Sequence, residues 1–524
     1  MIESAISFKG LKERYNAANR FIEENVRRGL GEKVAIIDDD EQVTYNELLQ
    51  RVNKFGSALK ELDIERENRI ILLTYDSSEF IATFFGAMKI GAIPIPISTM
   101  LQPQDYEYML NNSRAKVLVV HENIWNKLQE YRERFVFLKY VIVISNKTLK
   151  STDVLDFFEI TNRASSDIQP IYTTSEDPGF WLYSSGSTGN PKGVIHYHRN
   201  MEAAFDNYAK RVLQITDKDI TFSASKLFFA YGLGNGMYFP LGAGGTTALM
   251  KDRPTPENTF NKIVDAKPTV FFGVPTLYGA MINYVEKTGK IPDLSSVRIC
   301  VSAGEALPSA FIEKWREIFN LDILDGIGST EALHIFLSNR IGDVKSGSTG
   351  KVVPGYEARI LNEDSQEVGP NVTGDLVIKG ESLTGGYWCN IEENHRKFYG
   401  EWMYTGDKYY RDENGYFWYS GRSDDMLKVG GIWVSPIEVE TVLYQHEKVL
   451  EVAVIGKKNE NNLVYPKAYI VLKEGVLPSE ELADELKVFV KNNLAPFKYP
   501  REIEFLDELP KTTTGKVQRF RLRT

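Results

Sequence analysis

Cysteine is scarce in this chain: Cys300 and Cys389 are the only two in 524 residues, and they form no CxxC pair. A disulfide scaffold is therefore excluded, and a reducing compartment fits. Long apolar runs are missing as well, since none approaches the roughly 18 residues of a membrane span. The opening residues, MIESAISFKGLKER, lack a basic start followed by an apolar run, so no signal peptide is expected and the cytoplasm is the expected setting. Positive charge is not in excess. The 62 Lys and Arg against 71 Asp and Glu leave a formal charge of -9, which argues against a broad nucleic-acid or acidic-membrane surface and leaves room only for a local basic pocket. Internal repeats and low-complexity segments are absent too.

What is present reads as a large soluble protein. A chain this long exceeds one ordinary core, so at least two domains are expected. From about Glu32, short β-like runs alternate with amphipathic stretches. YNELLQRVNKFGSALKEL has helical spacing and leads into the strand candidate RIILLTY; the helix candidate SSEFIATFFGAMKIG then leads into AIPIPIS. AKVLVV, YVIVIS, PTVFFGV, SVRICVSAG and LDILDGIG continue the pattern. Continuous apolar strands alternating with helices indicate an α/β fold with mostly parallel sheets, whose ligand sites lie at the carboxyl ends of strands.

The texture changes after Ile360. GDLVIKG and KYYRDENGYFWYSGR read as antiparallel β with a hairpin turn at Asn414-Gly415. Beyond Arg422, helix, strand, strand and helix candidates follow within about 100 residues, enough for a small α+β domain. The expected division is a core domain of residues 1–423 and a small mobile domain of residues 424–524.

One stretch stands out as chemistry. SSGSTGNPKG, from Ser184 to Gly193, gathers hydroxyls, glycines and Lys192 without an acidic residue. It is not the P-loop GxxxxGK[ST], because Pro191 precedes Lys192 and Gly193 follows it. The alternation in GVIHYH puts a strand, not a helix, after the loop. A strand–loop–strand turn can still cradle an anion with backbone N–H groups and hydroxyls, and a lysine adds a mobile charge. Composition alone leaves a flexible surface turn equally open.

The longer run YSSGSTGNPKGVIHYH resembles the phosphate loop of the adenylate-forming superfamily, which comprises acyl-CoA synthetases, peptide-synthetase adenylation domains and luciferases. Four further segments are similar to that family's motifs, in its order: GIGSTE (326–331), YTGD (404–407), GRSDDMLKVGGIWVSPIEVE (421–440) and PKTTTGKVQR (510–519). The resemblance covers essentially the whole chain. It implies ATP, magnesium and coenzyme A as the small-molecule partners, with no nucleic acid and no membrane. It also implies a two-step reaction in which a carboxylate attacks the α-phosphate of ATP and a thiol then displaces AMP.

On that resemblance, Ser184, Ser185, Gly186, Ser187, Thr188 and Gly189 hold the departing phosphates, and Lys192 neutralises their charge. Thr330 bonds the α-phosphate and Glu331 holds magnesium, which favours one or two carboxylates plus phosphate oxygens. Asp407 and Arg422 face the ribose. Asp325, Gly326, Ile327, Gly304, Glu305 and Ala306 surround the adenine, with Glu305 acting through its backbone. Lys516 bridges the acyl carboxylate and the α-phosphate during adenylation. Asp424 is the implied hinge about which the small domain turns, bringing Gly430 and Gly431 to line a thiol tunnel.

The acid is encoded elsewhere. KLFFAYGLGNG, VSAGEAL and GIGSTEALHIF are expected as loops around the acyl group, mixing aromatic side chains with Ala and Gly. A flat ring would fit such a slot, with Tyr231 as a wall. FFAYGLGNGMYFPLGAGGTT, RPTPENTF and DGIGSTEALHIFLSN resemble the benzoate-CoA ligase branch, which makes Ala230, Tyr231, Ala303, Gly304, Gly328, His334 and Ile335 the pocket candidates. His334 reads equally as a satisfied core side chain. Transfer of an aryl acid to a carrier protein, and activation of a medium-chain acid, are the rival outcomes.

Overall fold

The computed structural model describes residues 14–147, 153–184, 190–423, 425–429, 432–459, 464–495, 498–511 and 517–523. Among them, no helix is long and apolar enough to cross a membrane.

Two large sheets form the body. In the first, Ile323–Gly328, Ile299–Ser302, Val270–Gly273, Ile220–Ser223, Thr246–Ala248 and Val34–Ile37 run parallel in that order. Antiparallel strands Ile335–Ser338 and Gln42–Thr44 flank this parallel block, and Lys351–Val352 adds to the outer side of Ile335–Ser338. The second sheet is wholly parallel: Ile93–Pro96, Arg69–Leu73, Val117–His121, Tyr140–Ile144 and Leu155–Asp156.

Burial on both faces explains the unbroken apolar strands. Ile70 and Leu72 face one core, shared with Val301 and Leu324 of the first sheet, whereas Ile71 and Leu73 face another with Trp181. Helices Tyr45–Glu61 and Ser78–Lys89 contribute to the shared core through Phe55, Phe80, Phe84 and Phe85. Each starts where a side chain satisfies an orphan N–H: Thr44 and Glu47 form a capping box, and Ser77 accepts from Phe80 N.

Pro178–Ser184 and Lys192–Tyr197 form a separate antiparallel pair, closing with Ser184 opposite Lys192. A strand therefore stands on each side of that segment, as the reading of the sequence expected. Strands Tyr356–Leu361, Gly374–Gly380, Trp402–Arg411 and Phe417–Arg422 form the expected antiparallel region. Its last hairpin carries Gly415 at φ +82, but the connection is the five residues Asp412–Tyr416 and not a two-residue turn. Helices Pro436–Tyr444 and Glu480–Asn493 pack with strands Val449–Lys458 and Val464–Leu472 around a core of their own, which includes Val454, Ile470 and Leu486.

One expectation is corrected here. The stretch containing Ala230 and Tyr231 is not a loop: Ala230–Leu233, Gly234–Tyr238 and Phe239–Ala243 make consecutive helical segments, the middle one a π-helix. Its glycines let the helix press against its neighbours. A Cβ on Gly234 would stand 2.5 Å from the His334 ring, and one on Gly232 would stand 2.1 Å from the Lys226 carbonyl oxygen.

Candidate active site

The site is organised by one hairpin. Strand Ile323–Gly328 ends at the carboxyl edge of the first sheet, and the chain returns as Ile335–Ser338. The intervening turn is tight: Leu333 sits at φ +66, its N–H donating to the Thr330 carbonyl at 3.1 Å, and Ala332 N donates to Ser329 Oγ at 3.2 Å. This geometry holds Thr330 and Glu331 at the strand end where α/β folds place their ligands.

Glu331 is buried, and its Oε1 accepts a 2.7 Å bond from the Tyr387 hydroxyl and a long 3.4 Å bond from Ser184 Oγ. Lys397 Nζ lies 3.8 Å from the same oxygen. Burial opposes ionisation, but Lys397 and the Tyr387 and Ser329 hydroxyls outweigh it and hold the carboxyl below its ordinary range. Thr330 is half-buried, and its carbonyl accepts from His196 Nε2 at 2.8 Å. Burial pushes His196 down to about 4, so the ring is neutral and its single N–H is committed to that carbonyl.

Other candidates lie on neighbouring elements. Lys192 lies over the Tyr387 ring, 5.4 Å from its centroid, and pairs with Glu393. Asp407 is buried opposite Arg422 in neighbouring strands, with Arg422 Nη1 donating to Oδ1 at 3.0 Å. Burial raises the Asp407 carboxyl and Arg422 opposes that rise. Asp325 is buried, with Oδ1 bonded to no described residue, and burial raises its carboxyl strongly. Such an atom suits a donor from a ligand, as an adenine amino group would be. Gly326 and half-buried Ile327 continue that strand; Gly304 is exposed at φ +102, and Glu305 and Ala306 are partly exposed after strand Ile299–Ser302.

The acyl candidates gather beside this hairpin. The Tyr231 hydroxyl reaches the carbonyls of Gly273 and Val301, 3.2 Å from each, at the ends of two parallel strands. His334 is buried, with Nε2 3.0 Å from Asn235 Oδ1 and its ring tilted against Tyr231 and Phe239 at 5.6 and 4.4 Å. Burial pushes it down to about 3, so it is a neutral, apolar-packed ring, as the core reading of this histidine requires. Ala230, Ala303 and Ile335 are buried, and Gly328 faces the His334 backbone. A Cβ at 328 would meet the His334 carbonyl oxygen at 2.5 Å. Because backbone cannot yield as a side chain tip can, Gly328→Ala is expected to lower stability by about 1–3 kcal/mol. A denaturation midpoint equal to wild type would contradict this packing.

Ser185, Gly186, Ser187, Thr188, Gly189, Asp424, Gly430, Gly431 and Lys516 lie outside the described residues. Sequence reasoning missed Tyr387, Glu393 and Lys397. Tyr387 carried a weak signal, since GYW follows an antiparallel segment; the other two looked like solvated helix charges. A divalent cation here would have Glu331 as its carboxylate. No cluster of three His, Cys, Asp or Glu exists among the described residues, so phosphate oxygens and water would complete the shell. An ionised, single carboxylate is the donor set magnesium takes when it arrives with a nucleotide.

Comparison with known proteins identifies the family. The AMP-binding enzyme family matches residues 22–388, and the AMP-binding enzyme C-terminal domain matches residues 438–516. Benzoate–CoA ligase of Thauera aromatica is 48% identical over 98% of this chain and 97% of its own length. The 4-hydroxybenzoate–CoA/benzoate–CoA ligase of Rhodopseudomonas palustris is 40% identical over 97% of this chain and 94% of its own. Among solved structures, the anthranilate CoA ligase AuaEII in complex with anthranoyl-AMP superposes with a TM-score of 0.93 at 40% identity, covering 97% of each chain. A benzoate CoA ligase from Burkholderia xenovorans LB400 superposes with a TM-score of 0.89 at 45% identity, covering 97% of this chain and all of the other. With a family match over residues 22–388 and these likenesses, the chain belongs to the AMP-binding enzyme family.

Proposed function

We propose that this enzyme converts an aromatic carboxylic acid, benzoate or a substituted benzoate, to its CoA thioester through an acyl-adenylate. One observation carries the reading: the candidate phosphate and metal residues Thr330 and Glu331 share a single hairpin with the aryl-pocket candidates Gly328, His334 and Ile335. A ring held against Tyr231 and His334 would direct its carboxylate toward the α-phosphate. The likeness to enzymes named for benzoate and anthranilate supports the same choice of acid.

In the first reaction a carboxylate oxygen bonds to the α-phosphorus, the bond to the β-phosphate oxygen breaks, and pyrophosphate leaves. In the second, a thiolate sulfur bonds to the acyl carbon and AMP departs with the oxygen. Charge on phosphate oxygens dominates the first reaction, so positioning and electrostatics dominate its catalysis. Lys192 receives the departing phosphates; Asp407 and Arg422 orient the ribose; Asp325 accepts from the adenine. Magnesium, held by Glu331, would screen the phosphates. Lys516 is assigned to adenylation, and turning about Asp424 to exchange it for Gly430 and Gly431 is assigned to thioester formation. The domain boundary belongs with that hinge, between residues 423 and 424.

The test is AMP release from a panel of aryl and aliphatic acids, with and without CoA. Benzoates should turn over fastest, and only with CoA should aroyl-CoA accumulate. Faster turnover of medium-chain acids would overturn the aryl assignment. Pyrophosphate exchange with no CoA-dependent product would assign the chain to carrier-protein loading instead.

A further inference from the structure

One short helix, Ile391–Lys397, reaches the nucleotide site twice. Asn390 caps it, and Asn394 ties it to the active-site segment: Asn394 Oδ1 accepts from Tyr387 N at 2.7 Å and its Nδ2 donates to the Tyr387 carbonyl at 3.1 Å. The helix is thereby registered against the residue whose hydroxyl bonds Glu331. Glu393 and Lys397, four apart, share one helix face. Glu393 pairs with Lys192 and also takes a 3.4 Å contact from Arg396; Lys397 stands 3.8 Å from Glu331. These are sheltered contacts, with side-chain exposures of 11% and 20% for Lys192 and Glu393, and 20% and 8% for Lys397 and Glu331.

Each contact carries the sign of the ligand group expected there. A carboxylate sits on the lysine that would receive phosphate, and an ammonium sits on the carboxylate that would receive a cation. We propose that Glu393 and Lys397 are a built-in counter-ion pair, holding Lys192 and Glu331 in the nucleotide-free enzyme and displaced by the magnesium–pyrophosphate moiety of ATP. The inference rests on the roles given above to Lys192 and Glu331. Its physical motive is that a sheltered charge without a partner is costly, so an empty site needs internal substitutes. The same pair would weaken the hold on pyrophosphate, the product that must leave.

Calorimetric titration with inorganic pyrophosphate, with and without magnesium chloride, separates the contributions. Glu393→Gln should bind pyrophosphate about three- to tenfold more tightly under both conditions, because Lys192 is released from a charge-assisted bond. Lys397→Met should gain affinity only when magnesium is present. Glu392→Gln, which neutralises a solvent-facing carboxylate paired with Arg396 in the same helix, should match wild type. Thermal melts give a second readout: Glu393→Gln should melt lower than wild type when empty and gain more from magnesium pyrophosphate. Unchanged or weaker binding by Glu393→Gln, weaker magnesium-dependent binding by Lys397→Met, or an equal gain in Glu392→Gln overturns the proposal. A wild-type enzyme that activates no aryl acid would refute the proposed function, yet the pyrophosphate comparison would still decide the counter-ion pair.

Discussion

Glu331→Gln enzyme should form acyl-adenylate about a hundred- to a thousandfold more slowly than wild type, the range typical of removing one preorganised electrostatic contact from a charge-developing transition state. The side chain keeps its shape, so the Tyr387 hydroxyl retains an acceptor. What disappears is the negative charge that Lys397 and the surrounding hydroxyls keep ionised in a buried place. Thioester formation from supplied aroyl-adenylate no longer involves the pyrophosphate moiety, and it should stay within about threefold of wild type, as expected for a group used only in the first transition state. Single-turnover measurement of pyrophosphate release, set beside aroyl-CoA formation from the adenylate, checks both parts. Equal losses in the two half-reactions would mean that Glu331 is a packing residue, and the metal assignment would fall.

A second large effect concerns acid. His198 and His334 are fully buried and held down to about 4 and about 3. Burial is the main cause in both. His198 Nδ1 accepts from Ala17 N at 3.2 Å, which requires that nitrogen to be unprotonated. The sign follows directly: the unfolded chain takes up protons near 6.5 while the folded chain refuses them until much lower pH, so stability is full above about 6.5 and falls as pH drops below it. Between pH 7 and pH 5 each of the two withdraws about 2 kcal/mol, and His196, also held to about 4, adds in the same direction. Asp76 opposes them: burial pushes it up to about 6, and protonating it over the same interval returns about 1 kcal/mol. Asp325 and Asp407, also raised by burial, act in the same direction as Asp76, so the net loss is smaller than the combined effect of the three histidines. Urea midpoints at the two pH values measure it, and a midpoint that does not move would show that these rings gain protons freely in the folded protein.

The sheets were readable because their cause is local. Residues 70–73 (IILL) and 117–120 (VLVV) are apolar at every position, as strands buried on both faces must be, and their flanking helices have clear caps. The strand that follows the Ser184–Gly193 segment was readable by contrast with a P-loop, since the alternation after Lys192 demanded a strand and a strand is there. The helix at Ala230–Ala243 was not readable. Its glycines argue for a loop by propensity, and only close packing on Lys226 and His334 makes them useful in a helix. Glu393 and Lys397 were invisible for another reason. Four-residue spacing of opposite charges is the signature of an ordinary solvated helix, and only tertiary placement turns each toward a different partner. His334 divided evenly on sequence grounds because a buried ring and a ring-edge contact need the same apolar surroundings: it is buried, bonded through Nε2 to Asn235, and stands against Gly234 and Gly328.

The strand order of the two sheets carries a consequence for how the chain is made. All five strands of the second sheet lie between Arg69 and Asp156, so that sheet can close while the rest of the protein is still being synthesised. The first sheet cannot. Ile36 pairs with Thr247, and so the amino-terminal strand must wait, unpaired along that edge, until some two hundred further residues have left the ribosome. Nascent chains therefore pass through a stage in which the second sheet can close while the apolar strand Val34–Ile37 still lacks its parallel partner, the condition under which holding chaperones matter most.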